Sequence, residues 1–98
     1  MAAEAVKVTI SYCAECGYEP AALKLTEYLM YAFKEQLSSV ELIPWYEGSF
    51  DVLVGDELIH AMYRDGGFPE NEDVGAAVRR HLGLTQEGAT QTPLPLKG

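Results

Sequence analysis

Cys13 and Cys16 are the only cysteines in a chain of 98 residues. They sit at the two ends of the stretch Cys13-Ala14-Glu15-Cys16, after an apolar, strand-like run and before a helix-like one. Two thiols so spaced can open and close a disulfide with little movement, so the first chemistry to expect is redox. The reactive form is the thiolate, and the free-thiol pKa of about 8.5 must fall for use near neutrality. The N-terminus of a following helix lowers it, while Glu15 and Glu19 oppose that effect, which predicts a modestly acidified thiol. A purely structural bond is the weaker reading, because so short a loop gains little chain entropy from closure. Zinc is the competing chemistry. The pair could be half of a site, but only His60 and His81 remain as partners, far along the chain, and zinc sites usually take a second closely spaced pair.

The elements that must position these sulfurs follow from periodicity. Val6 to Tyr12 alternates apolar and polar with β-branched residues, a strand pattern. Cys13 to Glu19 is a connection containing Gly17, and Pro20 suits the first turn of a helix. From Ala21 to Leu37 an apolar stripe of Leu25, Leu29, Phe33 and Leu37, flanked by Ala22 and Ala32, marks an amphipathic helix. Ser38-Ser39 is expected to end it. Val40 to Ile43 reads as a short second strand stopped by Pro44, followed by a turn at Trp45 to Gly48. Ser49 to Val54 and Glu57 to Tyr63 form a hairpin around Gly55-Asp56, with Gly supplying the positive φ at the first central position. Arg64 to Asp73 is a loop. Val74 to Leu82 is a second helix with Arg79, Arg80 and His81 in its last turn, where positive charge complements the carbonyl end, and Gly83 as its stop.

The order is β-α-β-β-β-α, an α/β two-layer sandwich with a mixed four-stranded sheet. Residues 1–84 are expected to form one domain and the Thr-, Gln- and Pro-rich residues 85–98 a flexible tail. Charge narrows the partners. Fifteen Asp and Glu against 7 Lys and Arg give a net charge of −8, with no basic cluster for a phosphate backbone or an anionic bilayer. No nucleic acid and no membrane is the expectation. Met1 to Ala5 has neither a basic start nor an apolar core, so the default compartment is cytoplasmic.

Three blocks carry a resemblance: Tyr12-Cys13-x-x-Cys16-Gly17-Tyr18, then Phe50-Asp51-Val52-x-Val54-Gly55-x-x-Leu58-Ile59, then Gly66-Gly67-Phe68-Pro69-Glu70. Together, over roughly Val6 to Leu82, they resemble the selenoprotein W-like, or Rdx, family, here in a cysteine-containing bacterial-type form. The resemblance implies a thioredoxin-like fold and a thiol–disulfide oxidoreductase linked to glutathione or thioredoxin systems. It implies no tightly bound cofactor, with glutathione as a co-substrate, and a thiol or disulfide protein as partner. Many relatives carry selenocysteine at the position of Cys16, which makes Cys16 the attacking sulfur and Cys13 the resolving one. Thioredoxin itself uses the first cysteine of its motif, so the two precedents disagree. The chain departs from the family after Ile59, where relatives often show Trp and a basic pair but His60-Ala61-Met62-Tyr63 stands here.

Around the sulfurs, Tyr12, Gly17, Tyr18, Phe68 and Pro69 are the candidate binding residues, the aromatics and proline forming an apolar collar for a partner's peptide. The plain alternative is that Phe68 only plugs the last helix against the sheet. Glu15 is a candidate proton shuttle or simply solvated, and His60 is expected to face solvent. Trp45 and Tyr46 mark either a partner or dimer surface or the edge of a core. Two functional classes stay open: an oxidoreductase that turns over, and a redox-sensitive binding module that does not. Oligomeric state is open as well.

Overall fold

The structure, a computed structural model, describes residues 5–85. The central strand β1 (Val6–Cys13) leads through a turn into helix α1 (Glu19–Phe33). Strand β2 (Leu37–Trp45) then returns, followed by the hairpin β3 (Phe50–Val54) and β4 (Glu57–Ala61). A short helix α2 (Met62–Asp65) and the long α3 (Asn71–Thr85) complete the order. The sheet runs β2-β1-β3-β4, with β1 parallel to β2 and antiparallel to β3, and β3 antiparallel to β4. The expected α/β order is therefore present with one helix added.

Alternation explains the core. Val6, Val8 and Ile10 of β1 and Phe50, Val52 and Val54 of β3 are all buried, while Lys7 is exposed. On the helices, Ala22, Leu25, Leu29 and Phe33 join Val74, Ala77, Val78 and Leu82 in the same cluster. Gly75 lets the two helices approach, because a Cβ there would run into the Tyr28 hydroxyl and stand 3.2 Å from two ring carbons.

Several boundaries differ from the sequence expectation. Helix α1 stops at Phe33 because Lys34 takes a φ of 51°, and a 3-10 turn over Lys34–Gln36 follows. Leu37 thus opens β2 rather than extending the helix, and Ala32 is exposed. Strand β2 spans nine residues, and neither Ser38-Ser39 nor Pro44 breaks it: Ser39 pairs with Lys7 and Pro44 with Tyr12. The long ladder to the central strand outweighs local propensity, and an edge strand tolerates proline. The fourth strand ends at Ala61, and Met62 to Asp65 is helical. Its first turn is held by Asp65, whose Oδ2 accepts the Ala61 N–H at 3.0 Å. Helix α3 begins at Asn71 and runs through Gly83 to Thr85. Because it runs that far, Arg79, Arg80 and His81 fall short of its last turn, which holds no basic residue, so they do not complement its carbonyl end as expected. The Glu57 carboxylate takes Arg80 Nη1 at 2.9 Å and His81 Nε2 at 2.8 Å, tying the helix to the hairpin. The Arg80 hydrogen bond, then the His81 one, holds Glu57 below the usual carboxylate range. Of the expected tail 85–98, residues 86–98 lie outside the described residues.

Candidate functional site

The two cysteines lie at disulfide-bonding distance, with Cα atoms 5.3 Å apart. Their surroundings are unequal. Cys13 closes the central strand, flanked by β2 on one side and β3 on the other, and has 0% of its surface exposed. Its N–H donates to the Ser49 carbonyl at 2.9 Å, and the next N–H, of Ala14, donates to the Trp45 carbonyl at 3.1 Å. Cys16 sits on the turn beyond and is exposed. That turn is closed by Gly17 N–H to Ala14 O at 3.1 Å and Tyr18 N–H to Cys13 O at 3.3 Å, with Gly17 at a φ of 78°. A positive φ is available to glycine without steric penalty, so Gly17 serves the turn. Helix α1 starts just after it, with Pro20 in the first turn, no side-chain cap from Tyr18, and Glu19 as a first-turn acid.

Of the expected collar, Tyr18 and Phe68 meet. Their rings are 5.0 Å apart and edge-on, and Phe68 makes a second edge-on contact with Phe50 at 5.0 Å. Phe68 remains 47% exposed, so it both caps the Phe50 end of the core and presents a face to solvent. Pro69 is half-buried beside it, and Tyr12 is half-buried against the core. A cleft of about 190 Å³ opens between α1 and this loop, with Lys24, Phe50, Phe68 and Pro69 among its walls.

The loop between β2 and β3 lies against the cysteine turn. Trp45, the last residue of β2, pairs with Cys13, and both Trp45 and Tyr46 are exposed, their rings 5.4 Å apart. Glu15 is exposed and accepts the Glu47 N–H at 3.4 Å, linking the cysteine turn to this loop. A Cβ on Gly48 would lie 4.0 Å from both the Tyr18 and the Tyr63 hydroxyls, so the two tyrosines converge there.

His60 does not face solvent. It is 9% exposed, and its Nε2–H donates to the Gly67 carbonyl at 2.7 Å, fastening the Gly66-Gly67-Phe68-Pro69 loop to β4. The cause is a β-bulge. The hairpin pairs Val54 with Glu57 and Leu53 with Leu58, then slips so that Val52, a core residue, faces His60. Without the slip His60 would oppose Asp51; a one-residue shift turns a side chain to the other face. Nothing in the local sequence announces that bulge. Asp65 lies 3.7 Å from His60 Nδ1. Its carboxyl is lowered to about 2, first by the Arg64 side chain and then by the Ala61 N–H. His81 is engaged with Glu57 instead. Among the described residues, no group of three or more His, Cys, Asp and Glu could hold a metal ion. No helix there is long and apolar enough to cross a membrane.

Residues 7–80 match the Rdx family. Migration and invasion enhancer 1 of Bos taurus is 31% identical over 77 residues, a match covering 76% of this chain and 64% of that protein. The chain thus spans less than two thirds of that relative. Selenoprotein W of Mus musculus is 35% identical over 69 residues, covering 69% of this chain and 78% of its own length. The crystal structure of a selenoprotein W-related protein from Vibrio cholerae superposes with a TM-score of 0.76 at 27% identity, over 80% of this chain and 98% of that one. A Bordetella parapertussis structure gives 0.74 at 28% identity, over 79% and 98%. The fold is thioredoxin-like α/β.

Proposed function

The chain belongs to the Rdx family, and from that membership together with its paired sulfurs we propose that it is a thiol–disulfide oxidoreductase working with glutathione or a thioredoxin-type partner. Cys16 is the attacking thiolate and Cys13 the resolving one. The observation that carries this assignment is the exposure of Cys16 against the complete burial of Cys13. An incoming disulfide can be met only by a sulfur it can reach. The Cys16 thiolate attacks one sulfur of the substrate disulfide, forming a mixed disulfide and releasing the first substrate thiolate. Cys13, as thiolate, then attacks Cys16 Sγ, forms the Cys13–Cys16 bond and releases the second. Two glutathione thiols return the pair to its reduced state and leave as oxidised glutathione. The cleft beside Phe68, with Lys24 among its walls, suits a small anionic thiol such as glutathione. The acidity expected of Cys16 is modest, since α1 begins close behind it but Glu15 and Glu19 stand nearby.

Single variants test the roles. Cys13→Ser should trap a disulfide-linked partner or glutathione on Cys16, and Cys16→Ser should trap little. Equal trapping by both, or alkylation of Cys16 with the pH profile of a free thiol, would remove the assignment.

A second reading has its own support. Trp45 at the end of β2, Tyr46 after it and Tyr63 on α2 are exposed, a surface apt for a protein partner whose affinity follows the state of the sulfurs. Turnover separates the two: repeated reduction of a glutathione mixed disulfide belongs to the oxidoreductase, a single stoichiometric event to the binding module.

A further inference from the structure

Ser49 is 4% exposed, and its hydroxyl is the buried side-chain oxygen without a hydrogen-bond partner among the described residues. A buried hydroxyl left unpaired is unfavourable, so its persistence beside a reactive pair asks what it meets at another stage. Its place in the sheet answers. The antiparallel ladder of β1 and β3 pairs Ile10 with Val52, Ser11 with Asp51 and Tyr12 with Phe50. Carried one residue past the end of β3, that register sets Cys13 opposite Ser49, and the Cys13 N–H to Ser49 carbonyl bond of 2.9 Å holds the two backbones together there. Directly opposed residues of an antiparallel pair project from the same face, their Cβ atoms about 4.5–5.5 Å apart. A hydroxyl and a sulfur on such neighbours can reach one another. Both side chains are shut away from water, so nothing else in solution serves either.

We propose that the Ser49 hydroxyl donates its hydrogen bond to Cys13 Sγ once the Cys13–Cys16 bond opens, stabilising the buried sulfur as leaving group and as resolving thiolate. The inference rests on the oxidoreductase reading above. In the reductive direction a glutathione thiolate attacks the exposed Cys16 Sγ, a Cys16–glutathione bond forms, and the electron pair of the broken bond stays on Cys13 Sγ. There the Ser49 O–H meets it. A second glutathione thiolate attacks the glutathione sulfur of the mixed disulfide, releasing oxidised glutathione and the Cys16 thiolate. Of the protons shed by the two glutathione thiols, one goes to the Cys16 thiolate and the other to solvent, while Cys13 stays a thiolate under the Ser49 O–H. While Cys13 is bonded to Cys16 the hydroxyl has no partner; when the bond opens it gains one. Ser49 therefore biases the pair toward the reduced state.

The test uses the full chain equilibrated in glutathione buffers of graded ratio, comparing wild type, Ser49→Ala and Ser49→Thr. Hydrogen bonds to charged groups contribute enough that Ser49→Ala should move the equilibrium toward the disulfide by about tenfold or more. Ser49→Thr, which keeps the hydroxyl, should restore it. Denaturant unfolding supplies a second readout: Ser49→Ala should weaken the reduced protein and leave the oxidised protein unchanged or firmer. A serine that merely packs would shift both redox states alike, and that result, or an equilibrium within about twofold of wild type, overturns the proposal. If the wild-type pair fails to exchange with glutathione at any ratio, the oxidoreductase reading falls and this inference falls with it. Exchange in wild type with no effect of Ser49→Ala refutes the Ser49 role alone.

Discussion

Replacing His60 with alanine should loosen the loop that carries Phe68, and the structure sets the size of the effect. Two losses add. The first is the 2.7 Å bond from Nε2–H to the Gly67 carbonyl. Gly67 is exposed, so water can take over the freed oxygen, which places this share near the low end of the range, about 1 kcal/mol. The second is the packing of a ring with only 9% of its surface exposed. Truncation of a largely buried side chain adds about 1–2 kcal/mol, at the mild end because some solvent already reaches the site. The total of about 2–3 kcal/mol corresponds to roughly 10–20 °C in Tm for a domain of this size. Gly66 and Gly67 both hold positive φ, at 78° and 69°, and glycine has the most backbone freedom to regain. The loss should therefore concentrate in the loop, and the ring resonances of Phe68 and Tyr18 should move in the NMR spectrum of the variant. His60→Gln, which keeps an N–H donor, should recover about 1 kcal/mol. A Tm within a degree or two of wild type, with both rings unmoved, would show that the loop holds itself and that the latch reasoning is wrong.

Asp65 should titrate near pH 2 by carboxyl NMR. Its folded value of about 2 lies below the ordinary 3.8, so the stability it lends is complete above about pH 4 and is lost as pH falls through 2; a midpoint near 4 would refute the Arg64 and Ala61 bonds as its cause. Gly75→Ala should destabilise by about 1 kcal/mol in urea titration, the overlap with Tyr28 at about 1–3 kcal/mol outweighing a helix-propensity gain of about 1. On a Tyr28→Leu background the same change should become stabilising, and an unchanged sign would refute the contact. Phe68→Ala should cost about 1–2 kcal/mol through its two edge-on ring pairs, and a loss no larger than that of an ordinary exposed side chain would show that Phe68 is not a clasp.

What the residues disclosed and what they concealed divide along a physical line. Local signals held: the apolar stripe from Ala22 to Phe33, the Gly55-Asp56 turn, and the strand-to-helix handover at Cys13 to Gly17 all appear in the structure. Tyr18, Phe50 and Phe68 each stand in one of the three blocks that carry the resemblance, and in the structure Phe68 meets both of the others. Features set by distant contacts were hidden. Ser39 and Pro44 look like breakers until β1 offers them a ladder, and Ser38 is passed over at the register shift between Val6 and Lys7. His60 looks solvent-facing until a bulge turns it inward, and Gly83 looks like a stop although α3 continues past it. Ser49 carried no signal at all, since a serine at the start of a strand is unremarkable until its opposite number is known to be Cys13.

Cys13 and Cys16 also belong to regions that open to solvent by different routes. Cys13 ends a strand that pairs on both sides, whereas Cys16 occupies a turn held by two backbone hydrogen bonds. Amides of a central strand exchange with deuterium only through near-global unfolding, those of a surface turn through small local fluctuations. Cutting the bond between the sulfurs should quicken exchange at Glu15 to Gly17 and leave Val8 and Ile10 as slow as before. The cysteine pair would then act as a hinge pin set in a fixed post, its release heard at the surface and scarcely in the core.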